Sequence, residues 1–260
     1  VAAIVGIYAA SVYVASLPGG WVADRLLGLR RAIFIGAALI TSGHLSVGLS
    51  GLAGPGAGKI FFFLGLILIV MGTGLLKPNI SAIVGDLYPE GGARRDAGFS
   101  IFYMGINLGA LFSPLICGGL GDTGSIFDFK WGFLAAGVGM VISTITFELL
   151  KNKYLVDAKG GHIGMPKQKL DMKTVATILG SVALMFVLLN FKTWFKTDID
   201  LIGFLIYGAM IAMPIVIFSD KKLVHEEKQR ISVIFILAFF VIFFWACFEQ
   251  AGASLTLFAD

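Results

Sequence analysis

Apolar residues in this chain do not alternate with polar ones; they run in blocks. Eight blocks cover residues 1–17, 32–50, 60–76, 97–120, 131–150, 174–191, 201–218 and 231–258. A helix crosses the hydrocarbon core of a bilayer with about 20 apolar residues. Each block approaches or exceeds that length, so the pattern predicts eight transmembrane helices. A membrane β-barrel would show short segments of alternating polarity between turns, and no stretch here does. The expected fold class is all-α integral membrane.

Composition agrees: 57% hydrophobic residues, 14% charged residues and a mean hydropathy of +0.90 exclude an ordinary soluble domain. Val1 already lies inside an apolar block and Asp260 follows another directly, which is expected of a fragment. The basic flank and small-residue cleavage site of a signal peptide are not found around the first block. Insertion is then expected to depend on an upstream helix. Cys117 and Cys247 both fall within apolar blocks, where thiols behave as small buried hydrophobes and say nothing of redox compartment.

Charge sets the orientation. Lys and Arg collect in cytoplasmic loops, and fifteen of the twenty basic residues here fall in one alternate set of loops: Arg25, Arg30 and Arg31; Arg94 and Arg95; six lysines over 151–173; and Lys221, Lys222, Lys228 and Arg230. The opposite set holds Lys59, Lys130, Lys192 and Lys196, and only Lys77 belongs to neither. The net charge of +4 is thereby explained without a nucleic-acid partner. The polar stretch 151–173, with Gly160, Gly161, Gly164 and Pro166, has the composition of a flexible linker. The expected organisation is a bundle over 1–150, a cytoplasmic linker over 151–173, a helix hairpin over 174–219, and over 220–260 a second linker with the first helix of another bundle.

Three motifs add chemistry. The first cytoplasmic turn reads Gly19-Gly20-Trp21-Val22-Ala23-Asp24-Arg25-Leu26-Leu27-Gly28-Leu29-Arg30-Arg31. Glycines let helices approach closely, Asp24 can pair with an arginine or cap a helix, and Arg30 and Arg31 hold the turn inside. The plainer reading is a basic loop that only sets topology. The second motif runs from Gly72-Thr73-Gly74-Leu75-Leu76-Lys77-Pro78-Asn79, through Arg94-Arg95-Asp96-Ala97-Gly98-Phe99-Ser100, to Phe102-Tyr103-Met104-Gly105-Ile106-Asn107-Leu108-Gly109. The third is Phe244-Trp245-Ala246-Cys247-Phe248-Glu249-Gln250.

The first motif resembles the signature between the second and third helices of major facilitator transporters, with Gly20, Asp24, Arg25, Gly28, Arg30 and Arg31 at its key positions. The second and third resemble the hallmarks of the proton-coupled oligopeptide transporters, a family within that superfamily. The resemblance covers essentially the whole chain. It implies that the eight blocks are helices two to six, the two accessory helices of the bacterial branch, and helix seven. Helix one, with the family's Glu-and-Arg motif, and helices eight to twelve are not in this sequence. Resemblance to the bacterial branch implies a multi-pass protein of the bacterial inner membrane.

A depth estimate bears on the same residues. Tyr13 lies 11 residues before Asp24, Lys77 lies 9 before Asp86, and Asn107 lies 11 after Asp96. If each acid marks a cytoplasmic helix end, a rise of about 1.5 Å per residue puts all three roughly 14 to 16 Å into the membrane. Transporters bind substrate near that midplane, and Tyr103 shares a helix face with Asn107. A lysine at the bilayer centre costs about 2.5 to 3.5 kcal/mol, so Lys77 must face a partner or a wet cavity. Either it anchors a substrate carboxylate, with Asn107, Tyr13 and Tyr103 adding hydrogen bonds, or it pairs structurally with an acid.

Glu249 lies about 18 residues into its helix, roughly 27 Å from the cytoplasmic side at helical rise. The resemblance implies that it pairs with an arginine across the bundle interface and takes part in proton coupling, since loss of that partner favours the protonated carboxyl. The alternative is an acid snorkelling at the outer rim. Trp245 either lines the cavity or packs, and Asn79, beside Pro78, either satisfies a carbonyl that the proline frees or packs between helices, packing being the default reading. Residues 54–59 lack the first glycine and the final Ser or Thr of a phosphate loop, and His225-Glu226-Glu227 has Gln229 where a zinc helix needs His. No metal, nucleotide or other cofactor is expected, and no role is assigned to the 23 phenylalanines or eight methionines.

The function implied is proton-driven symport of di- and tripeptides by alternating access, not an enzymatic reaction, with the proton gradient as driving force and the lipid bilayer as solvent. A family relative carrying nitrate or another anion, or a non-transporting receptor of the same fold, are the alternatives.

Overall fold

A computed structural model of the chain describes residues 2–125, 128–157, 159–166, 172, 176, 201–220 and 223–248. The described residues are overwhelmingly helical: α1 Ala2–Val22, α2 Gly28–Ser50, α3 Pro55–Asp86, α4 Gly92–Ser113, α5 Phe129–Tyr154, α6 Leu201–Ser219 and α7 His225–Phe248. Helices α1 to α5 belong to one compact unit and α6 and α7 to a second. The fold is an all-α membrane fold, as expected.

The count of eight spans is not reproduced. Five helical runs among the described residues are long and apolar enough to cross a membrane: Ser11–Ser50, Gly56–Asp86, Gly92–Gly121, Phe129–Tyr154 and His225–Phe248. The first two expected spans merge into one helical run, because a π-helical turn, Ala23–Leu27, follows α1 directly and α2 follows it. The chain nonetheless reverses there. Gly28 has φ of 71°, outside helical geometry, and Gly19 of α1 and Gly36 of α2 both abut residues 72 to 76 of α3. The span expected over 174–191 lies outside the described residues, as does the end of the one expected over 231–258.

Local signals account for the helix ends. Pro55 starts α3, where its missing N–H costs nothing. Gly91 and Gly92, both at positive φ, separate α3 from α4. With 32 residues, α3 is about 48 Å long, well beyond the roughly 30 Å hydrocarbon core; a helix this long tilts or projects beyond the core. Among the depth markers, Asp86 is the last residue of α3, Asp96 lies in the second turn of α4, and Asp24 sits in the π turn rather than at a helix end.

Helix α2 is the hub of the first unit, packed against α3 on one side and α5 on the other. Its contact with α3 is made of facing glycines. A Cβ on Gly36 would come 2.7 Å from the Gly72 carbonyl oxygen, and one on Gly43 would come 2.8 Å from that of Gly65. The outward faces stay apolar and exposed, as lipid contact requires; on α7 they include Phe239, Phe240, Phe243 and Phe244.

The stretch read as a flexible linker is folded where it is described. Helix α5 runs on to Tyr154, and a small hairpin follows. Val156 bridges His162, the Ile163 amide donates to Leu155 (3.1 Å), and the Asp157 carboxylate accepts from the amides of Lys159 and Gly161 at 2.8 and 2.7 Å. Arg30 holds this hairpin down. Its guanidinium donates to the carbonyls of Ile163 (2.6 Å), Lys151 (3.0 Å) and Leu155, and to Asn152 Oδ1 (2.9 Å), while its amide donates to Gly164 O (3.1 Å). The last carbonyls of a helix have no partner of their own and carry negative partial charge, so a buried arginine satisfies the end of α5 and orders the chain beyond it. Polar composition predicts mobility only when nothing nearby supplies donors.

Hydrogen bonds from a charged group contribute about 1.5 to 3 kcal/mol. In the natural polypeptide carrying these residues, Arg30→Ala is expected to lose about 3 kcal/mol of stability and to be cut faster by trypsin within 151–167. Arg30→Lys recovers little of either, since an ammonium cannot span the same fork. Unchanged tryptic cleavage in Arg30→Ala would rule out the clasp.

Candidate functional site

The signature turn comes first along the chain. Asp24 and Arg25 are exposed on the π turn, Gly28 and Arg30 are buried, and Arg31 is exposed. Gly28 is demanded twice over: by its positive φ, and because a Cβ there would lie 2.5 Å from the Pro166 nitrogen and 2.7 Å from the Gly164 oxygen. Gly20 is less constrained, with its nearest neighbour, Pro78 Cβ, 4.0 Å from a Cβ position. The close approach of α1 to α3 falls instead on Gly19, where a Cβ would overlap the Gly74 carbonyl. Asp24 and Asp86 share the rim of a cavity of about 150 Å³ with Gly28, Gly164 and Met165. Asp24 makes no ion pair among the described residues, so the turn is held by Arg30.

Away from the signature turn, the structure brings Lys77 of α3 to Tyr13 of α1. The Lys77 Nζ lies 4.6 Å from the centroid of the Tyr13 ring, within the range of a cation–π interaction. Helical side chains tilt toward the helix N-terminus, which lets Lys77 reach back along α1 to a residue nearer its start. Both side chains are exposed within this unit, and no carboxylate among the described residues pairs with Lys77.

Tyr103 and Asn107 lie one turn apart on α4. The Asn107 amide donates to the Tyr103 carbonyl at 2.9 Å, and Tyr103 meets Phe102 edge to face, with centroids 5.7 Å apart. Both are exposed, and neither has a hydrogen bond or ring contact to Lys77 or Tyr13. Asn79 is a residue that pattern reading undervalued: it is only 2% exposed, and its amide reaches Leu75 O at 2.6 Å and Gly19 O at 3.4 Å.

A paired lysine and tyrosine at an α1–α3 crossing built from the two signature segments can be compared with known proteins. The sequence profile of the POT family matches residues 30–260. The chain belongs to the POT family.

Among curated relatives, it is 37% identical over 268 residues to the peptide transporter YePEPT of Yersinia enterocolitica subsp. palearctica and 36% identical over 272 residues to the di-/tripeptide transporter of Lactococcus lactis subsp. lactis. Each match covers 99% of this chain and 51% of the relative, so the chain spans about half their length. A crystal structure of a peptide transporter POT, a glutamate-to-glutamine variant in complex with alafosfalin, superposes with a TM-score of 0.77 at 39% identity, over 99% of this chain and 51% of that one. This chain is thus part of a multi-pass membrane protein in a family of transporters.

In this POT chain, Trp245 lies on α7 in the second unit. It is 45% exposed and stacks edge to face with Phe248, centroids 5.3 Å apart, and with Phe244 at 5.7 Å. Glu249 and Gln250 lie outside the described residues. Residues 54–59 simply start α3, with the Gly58 amide donating to Gly54 O at 2.7 Å. No group of three or more metal-ligating side chains gathers among the described residues.

The two signature glycines separate by measurement. Gly19→Ala is expected to lower the stability of the solubilised protein by about 1 to 3 kcal/mol through overpacking, whereas Gly20→Ala is neutral or stabilising because alanine favours helix over glycine. Thermal midpoints of the two variants check this; the reverse order would place the close approach at Gly20.

Proposed function

We propose that the transporter carrying this chain moves di- and tripeptides inward across a bacterial inner membrane, in symport with protons, by alternating access about a midplane site. The observation that carries the reading is Lys77 held against Tyr13, a cation in an apolar helix with no acid of the described residues beside it. A peptide's terminal carboxylate is the counter-charge such a group lacks. Tyr103, Asn107 and Trp245 are proposed to complete the site around a peptide's amides, which are common to substrates of any sequence. Glu249 is proposed as the proton-coupling gate, and Gly20, Asp24, Arg25, Gly28, Arg30 and Arg31 as the turn about which the bundle moves. The names of the relatives support peptides as cargo. The proton gradient drives the cycle, with no cofactor, metal or enzymatic step.

The decisive experiment is uptake of labelled dialanine into proteoliposomes under an inward proton gradient, using the natural polypeptide. Lys77→Ala is expected to weaken apparent affinity by about tenfold to a hundredfold, the equivalent of one charge-assisted hydrogen bond, and Glu249→Gln to abolish gradient-driven accumulation. Since the gate works by taking up a proton, wild-type uptake should rise as the external pH falls and the Glu249→Gln variant should show no such slope. Competition by nitrate but not by dipeptides would move the reading to an anion carrier. Binding without uptake would move it to a receptor.

A further inference from the structure

The α1–α3 crossing below Lys77 contains a buried amide that the functional reading does not use. Pro78 follows Lys77 and has no N–H, so the Gly74 carbonyl loses its helical donor. That carbonyl lies against Gly19, and a Cβ on Gly74 would in turn come 2.5 Å from the Ala15 oxygen. The two backbones therefore meet without side chains between them. Beside this contact Asn79, 2% exposed, sends its Nδ2 to Leu75 O of its own helix at 2.6 Å and to Gly19 O of α1 at 3.4 Å. One side chain thus bridges two helices at the proline break, where lipid offers no competing hydrogen bonds.

The bridge lies close to the Lys77–Tyr13 pair. Tyr13 is six residues before Gly19, about 9 Å along α1, and Lys77 is two residues before Asn79. Cation–π attraction needs the charge within about 6 Å of the ring centroid, and here it stands at 4.6 Å. A slip of one residue between α1 and α3 would shift the ring by about 1.5 Å along the axis and about 100° around it, which ends the pairing. A leucine would fill the same space as Asn79 but could not fix the slip, because it has nothing to donate to Gly19 O.

We infer that Asn79 is a positioning residue for the substrate site: its amide holds α1 and α3 in the register that sets Lys77 over Tyr13, and so sets affinity for a substrate carboxylate. The inference rests on the role proposed above for Lys77.

The test measures KM and maximal rate for labelled dialanine in proteoliposomes of the natural polypeptide, for wild type, Asn79→Leu, Lys77→Ala, Tyr13→Ala and the double variant Asn79→Leu with Tyr13→Ala. Asn79→Leu should raise KM about tenfold with less than a twofold change in maximal rate, and the penalty should shrink to less than about twofold in the Tyr13→Ala background, the coupling expected of residues acting through one contact. A wild-type KM in Asn79→Leu, or an undiminished penalty without Tyr13, overturns the inference while leaving the function standing. Should Asn79→Leu not fold, Asn79→Ala is read by the same criteria, and failure of both to fold assigns Asn79 to structure alone. Absence of wild-type uptake, or a wild-type KM in Lys77→Ala, instead overturns the functional reading on which the inference depends.

Discussion

Close backbone contact between helices is the constraint on which the rest of this structure depends. In lipid, apolar side chains gain nothing by leaving their surroundings, so helices associate through dispersion contacts and interhelical hydrogen bonds made where small residues let backbones touch. The pairs Gly36–Gly72 and Gly43–Gly65 draw α2 onto α3, and Gly19 with Gly74 draws α1 onto the same helix. Because α3 is held on two sides by backbone rather than by flexible side chains, its distance from α1 and α2 is set closely. Its register along α1 is what we assign to Asn79, whose amide crosses that contact.

The cytoplasmic end is held by different physics. There water is near, donors and acceptors compete with it, and only a well-shielded charge holds a loop firmly. Arg30 meets that condition at 5% exposure. It joins the α1–α2 turn to the end of α5 and to the hairpin beyond, above a small apolar cluster of Ala23, Leu29, Ala32, Ile33 and Ile83. A residue that topology alone would treat as one more positive charge inside is the keystone of this face. Arg31, its neighbour, is exposed.

The legible and illegible parts of the sequence divide along these lines. Blocks of apolar residues announced α3, α4 and α5, because a membrane helix is written in composition and needs no partner to be recognised. Counting from Asp24 and Asp86 puts Lys77 and Tyr13 at one level, but Pro78 lies opposite Gly20, so the Lys77 side chain has to reach back along α1 to meet the ring. What pattern could not supply was anything that depends on a neighbour distant in sequence. Gly19 rather than Gly20 meets α3, a choice of helix face that two adjacent glycines leave open. The hairpin after Tyr154 is ordered by an arginine more than a hundred residues earlier. Asn79 reads as packing until Gly19 is seen opposite it. The first two spans are parted only by the π turn and the positive-φ Gly28, so the reversal rests on one glycine rather than on a polar loop.

Magnitudes bear on the role proposed for Lys77, that of meeting the terminal carboxylate of a peptide. A lysine this deep costs about 2.5 to 3.5 kcal/mol on the lenient insertion scale. The Tyr13 ring returns about 0.5 to 2 kcal/mol, the upper end only when the pair is desolvated, and Lys77 is exposed within its unit. A structural ion pair would close the difference permanently and would hold the charge still. A ring closes it only in part, leaving the ammonium oriented and, among the described residues, without a carboxylate partner. Under the proposed function, that is the condition in which a carboxylate arriving from water is bound with useful but releasable affinity, as a carrier requires at each turn of its cycle, and the role we infer for the buried amide of Asn79 is to keep the cation from relaxing out of it between turns.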